Sequence, residues 1–173
     1  MSAHVENGGP ASAGPAFDLV ARVVKFATGL VLVALVVLVC GEAFLRGVAN
    51  YSLGFAEELT GYFVVMLTFF GAALALRAGA LFRVNFLFDA MPANTRKTVQ
   101  IVFAAAALTI CIIFVLKTAG VAMSSFERGK FAPTVLRTPL WIPQMLMPAG
   151  FAVIAVFLVE QLLLSLRIWK GGA

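Results

Sequence analysis

Charge is what this chain has least of. Asp, Glu, Lys and Arg make up 12% of its 173 residues, about half the share usual in soluble domains. Hydrophobic residues make up 62% and the mean hydropathy is +1.01, so the chain is committed to lipid rather than to one aqueous core. The single histidine, His4, lies in a polar N-terminal stretch, which leaves no axial ligand for a haem-carrying helical membrane protein. Cys40 and Cys111 stand alone inside apolar runs with no CxxC spacing. They read as buried small hydrophobes, and a quinone-linked thiol oxidase, which needs a thiol pair, is excluded. No apolar run carries Asp, Glu, Lys or Arg in its core, so neither a proton relay nor an ion-coupling carboxylate is evident. No catalytic, cofactor-binding or metal-ligating residues are expected. The net charge is +5, but the basic residues are dispersed and flank apolar runs, where Lys and Arg anchor helices at the headgroups. That pattern excludes nucleic acid as a partner and makes the lipid bilayer the first one.

What the chain does have is four long apolar runs. The clearest covers residues 59–76, eighteen uncharged positions preceded by Glu57 and Glu58 and closed by Arg77-Ala78-Gly79. As a helix it rises about 27 Å, close to the ~30 Å hydrocarbon core of a bilayer. The acids sit at the N-terminal end and the cation at the C-terminal end, which suits the helix macrodipole and keeps formal charge at the interfaces. We therefore expect an all-α integral membrane fold with four transmembrane helices, at about 20–45, 57–77, 97–117 and 138–162. One short amphipathic interfacial helix is expected at about 80–91, where Asn85 and Asp89 share a face. Residues 1–16 read as a disordered cytoplasmic tail and 17–170 as the membrane domain. The late start of the first apolar run and the lack of a small-x-small site after it argue against a signal peptide.

With the N-terminus inside, the cytoplasmic segments hold Arg22, Lys25, Arg77, Arg83, Arg96, Lys97, Arg167 and Lys170. The outer loops hold Arg46, Lys117, Arg128, Lys130 and Arg137, the last four in a loop placed at 117–137. Eight against five favours N-in/C-in. The fourth run contains Pro139, Pro143, Pro148 and Gly150. Pro139 reads as the start of the helix and Pro148 as a kink, an irregular first portion packed against protein being the alternative. Gly71, Ala72, Ala73 and Ala75, and then 104–107, are small enough for close backbone approach. Thr28, Thr68 and Thr109 read as helix-to-helix or backbone hydrogen bonds rather than a substrate path.

The order Glu57-Glu58-Leu59, an aromatic-rich span, Gly71-Ala72-Ala73 and Arg77-Ala78-Gly79 resembles the small membrane subunit (DctQ-like) of tripartite ATP-independent periplasmic (TRAP) transporters. The close Thr138-Pro139-Leu140-Trp141-Ile142-Pro143, then Met147-Pro148-Ala149-Gly150, is similar to that family's last span. The likeness covers about 17–168. Where family members commonly carry His-Ile-Arg-Val-Asp, this chain has Leu81-Phe82-Arg83-Val84-Asn85, so that only Arg83 of the polar set persists. The resemblance implies a scaffold in the bacterial inner membrane that braces a large multi-span transport subunit. A periplasmic substrate-binding protein would deliver an organic acid, taken up by symport on an ion gradient. The candidates for a structural role or a partner contact are Glu57, Glu58, Gly71, Arg77, Gly79, Arg83, Pro139, Trp141, Pro143, Pro148 and Gly150. A small self-assembling exporter and a tetraspan structural or assembly protein are the alternatives.

Overall fold

The computed structural model describes residues 13–79, 93–133 and 137–170. Four helices make up nearly all of it: α1, Pro15–Ala49; α2, Ala56–Arg77; α3, Ala93–Glu127; and α4, Trp141–Lys170. Each is long and apolar enough to cross a membrane. The expected interfacial helix at about 80–91 and Arg83 lie outside the described residues, as does most of the expected tail.

The ends follow from local chemistry. α1 starts with Pro15, whose missing N–H is no loss in a first turn, has Asp18 in that turn and Arg46 in its last. It stops at Asn50, in a left-handed conformation with φ 50° and its N–H bonded to the Leu45 carbonyl. α2 starts with Glu57 and Glu58 and ends with Arg77. The chain leaves it through Gly79 at φ 70°, a conformation that strains a residue with a Cβ, and the Gly79 N–H bonds the Leu76 carbonyl at 3.0 Å.

α3 departs from expectation. A loop was expected from Lys117, yet the helix runs on to Glu127. No proline interrupts 117–127, and the extension has something to pack on, since Ala122 and Ser125 are buried. The turn that follows is clasped by the Ala132 N–H on the Thr138 carbonyl and the Leu140 N–H on the Lys130 carbonyl, both 2.9 Å. Pro139 is bridged with Phe131 there at a position that asks no N–H of it, and its carbonyl accepts the Ile142 N–H at 3.1 Å. Pro143 occupies the first turn of α4, where an orphan N–H is no loss. The helix then continues without a break through Pro148, so the irregular-first-portion alternative is not what forms.

The helices run antiparallel in chain order and pack as a row. α2 lies between α1 and α4, and α4 lies between α2 and α3. Their shared core is Ala21, Ala73, Leu76, Cys111, Phe157 and Leu158. Phe151 of α4 joins the inner pair to α3: its ring meets Phe69 edge-on at 4.8 Å and stacks on Phe114 at 5.0 Å. Cys40, expected to be buried, is exposed on α1, and only Cys111 is buried. Lipid rather than protein covers most of an edge helix, which is the physical reason. Thr28, Thr68 and Thr109 each donate to the carbonyl four residues earlier, at 2.7, 2.8 and 2.9 Å, the local alternative expected of them.

Among the described glycines, the one that a neighbouring helix crowds is Gly150, not Gly71. A Cβ on Gly150 would fall 2.6 Å from Phe69 Cβ and 2.8 Å from its Cδ1, whereas one on Gly71 meets nothing within 4 Å. Gly150→Ala is expected to destabilise the chain by about 1–3 kcal/mol through overpacking. Gly71→Ala should be near neutral within this chain. Thermal unfolding in detergent separates the two, and Phe69→Ala should restore part of the loss in the Gly150 variant.

Candidate functional site

Among the described residues, two from different helices make the most buried charge contact. Arg77 ends α2, and Glu160 lies about 28 Å along α4 at 1.5 Å per residue. Running in the same direction, the two helices bring them to one depth, as they do Phe69 and Phe151 further back. Arg77 Nε donates to Glu160 Oε2 at 2.9 Å and Nη2 donates to Oε1 at 3.2 Å. Their side chains are only 10% and 2% exposed. Asp18, in the first turn of α1, also accepts from Arg77 Nη2, with half of its side chain exposed. The Ala13 N–H adds a bond to Glu160 Oε1 at 3.3 Å. The guanidinium carbon lies 5.6 Å from the centre of the Phe157 ring, within cation–π reach. Three helices and the segment leading into α1 thus converge on Glu160 and Arg77.

Arg77 is therefore not the exposed interfacial anchor that its position in the sequence implies. Its partner lies within the chain, and sequence reasoning passed over Glu160 as the end of an apolar run. A signal was present: apolar sequence continues beyond it through Leu162-Leu163-Leu164, so the acid sits within the helix rather than beyond it and needs a cation. Asp18, in the first turn of α1 and distant from Arg77 in sequence, gave no such signal.

The opposite end is built from weaker, wetter contacts. Glu42 accepts from Arg46 Nη2 and Ser52 Oγ at 2.8 Å each through Oε1, and from the Leu53 N–H at 2.8 Å through Oε2. This pins the α1–α2 turn. Glu57 is largely exposed and 3.9 Å from Arg46. Glu58 is half-buried and accepts the Tyr62 hydroxyl. Trp141 meets Phe126 edge-on at 5.6 Å, joining the last turn of α3 to the first of α4. Glu57, Glu58, Pro139, Trp141 and Pro143 share this end, Arg77 and Gly79 share the other, and Pro148 and Gly150 lie between. They do not form one site. Among the described residues no group of His, Cys, Asp and Glu is placed to hold a metal ion.

Removing one partner of a buried ion pair strands the other in a poor solvent, at a cost of about 3–5 kcal/mol. Glu160→Gln is expected to fall in that range. Asp18→Asn, at a half-exposed position, should cost less than ~1 kcal/mol. The charge swap Arg77→Glu with Glu160→Arg should recover much of the loss. Thermal unfolding of the wild type, Glu160→Gln, Asp18→Asn, the swap and its two single changes checks it, the last three closing a double-mutant cycle with the wild type; equal small losses at Asp18 and Glu160 would show the pair to be unimportant.

The family described as "Tripartite ATP-independent periplasmic transporters, DctQ component" matches residues 35–168, from the middle of α1 almost to the end of α4. The ectoine TRAP transporter small permease protein TeaB of Halomonas elongata is 22% identical over 153 residues, covering 88% of this chain and 79% of that protein. Four apolar helices on one chain, matched over most of their length, place it: the chain belongs to the DctQ family, whose members are TRAP transporter subunits and not enzymes.

Proposed function

We propose that this chain is a scaffold that braces a large multi-span subunit in the inner membrane, in an importer fed by a periplasmic binding protein. Import is of an organic acid and is driven by an ion gradient. The observation that carries the reading is the open row of helices. α1 and α3 occupy its edges and expose large apolar side chains, among them Phe26, Val33, Val37, Phe103, Ile113 and Leu116. Such faces suit lipid or a larger apolar partner. A second feature supports it: the most buried charges among the described residues, Arg77 and Glu160, are bonded to each other. A coupling carboxylate has to be free to exchange its proton or ion, and Glu160 is held on both oxygens. The substrate is then chosen by the other two components.

Orientation in this reading is N-in/C-in. A cysteine placed at Asn94, in a background without Cys40 and Cys111, should react only with reagents that reach the cytoplasm; periplasmic labelling would reverse the topology.

Uptake in reconstituted vesicles tests the role. This chain alone should move no substrate, and gradient-driven uptake should require the large subunit and the binding protein as well. Transport by the chain alone would overturn the scaffold and favour a self-assembling exporter. Full uptake by the large subunit without this chain would leave it no bracing role.

A further inference from the structure

Beside the Arg77 junction a cleft of about 460 Å³ opens between α1 and α2. Its α1 wall is Asp18, Ala21, Arg22 and Lys25, and its α2 wall is Leu74, Arg77 and Ala78. The α1 residues are spaced i, i+3, i+4, i+7, which puts them on one helix face. Arg77 is already committed through Nε and Nη2 to Glu160 and Asp18, so the charge left for a ligand is that of Arg22 and Lys25. Both are exposed, and neither enters an ion pair among the described residues.

The depth of these cations matters as much as their sign. The uncharged stretch of α1 is 26–41, about 24 Å of helix, shorter than the ~30 Å hydrocarbon layer. Lys25 is thereby drawn to the rim of that layer with its stem lying along the helix, and Arg22 stands one turn further out, at phosphate level. The adjoining stripe of α1 is apolar and exposed: Leu19, Val23 and Phe26. A pair of cations without an acidic partner, above an exposed apolar stripe and beside a cleft, has the chemistry of an amphiphile site with an anionic head.

We propose that this cleft seats the phosphate of an anionic phospholipid, with Arg22 and Lys25 donating to it and the acyl chains running down the Leu19–Val23–Phe26 stripe. Asp18 being taken by Arg77, the bound headgroup offsets the charge of Arg22 and Lys25, and ties α1, an edge helix, to α2.

The full chain, purified and loaded with an equal mixture of phosphatidylglycerol and phosphatidylcholine, should retain the anionic lipid preferentially, as read by native mass spectrometry. R22Q/K25Q should lower the apparent affinity for phosphatidylglycerol about thirtyfold, two headgroup-level cations' worth. R22K/K25R should keep it, and K117Q, on α3 towards the opposite end, should leave it unchanged. Excess inorganic phosphate should not displace the lipid. Equal retention of the two lipids by the wild-type chain would overturn the proposal, and that arm needs no variant to fold. So would an equal loss in K117Q, which would show general electrostatic attraction, or displacement by inorganic phosphate, which would show a site for free anions.

Discussion

The arrangement depends on one ion pair in a place where ions are costly. Arg77 and Glu160 lie on helices that are neighbours in space but far apart in sequence, and their side chains are almost fully enclosed. In a medium that cannot solvate either charge, each requires the other at hydrogen-bond distance. That requirement sets the relative depth of α2 and α4 and the rotation of each about its axis. Apolar contacts do neither well, because lipid tails are as good a neighbour as leucine. Phe151, wedged between Phe69 and Phe114, and the glycine that lets Phe69 approach α4 then add shape to a register already held by charge.

The two ends of the row solve different problems. At the Arg77 end, charge is gathered inward, and Asp18 and the Ala13 amide bring the start of α1 onto the α2–α4 pair. At the other end α1 and α2 are joined by a short turn and α3 and α4 by a longer connection. There a carboxylate collecting donors from Arg46, Ser52 and Leu53 and an aromatic contact between Phe126 and Trp141 suffice. α2 and α4 form the firm centre, while α1, packed mainly on α2 and touching α4 only at its start, and α3, packed on α4, each keep a wide apolar face. For a DctQ-family subunit this division leaves its edges to the membrane and to whatever protein it stands beside.

That the chain forms four helices long and apolar enough to cross a membrane was legible in the sequence, because apolar length and end charges are properties of one helix at a time. The order of motifs from Glu57-Glu58 to Met147-Pro148-Ala149-Gly150 was legible as a family resemblance for a similar reason: it is linear. Run lengths were less reliable. The extra turns of α3 after Lys117 carry small and polar residues and end on an acid, which looks like a loop, and they become helix because Ala122 and Ser125 find a surface to pack on.

What only the tertiary structure decided is which residues meet. Arg77 and Glu160 are 83 positions apart, and each by itself marks the end of an apolar run. Only the parallel placement of α2 beside α4 turns two end markers into one buried pair. Gly71 and Gly150 are equally small, and which of them is needed depends on whether a phenylalanine ring faces it across the helix boundary. Hydropathy and end charge act along the chain and determined that this is a four-span membrane protein. Ion pairing and close packing act across it, and no periodicity in one helix reports the rotation of its neighbour.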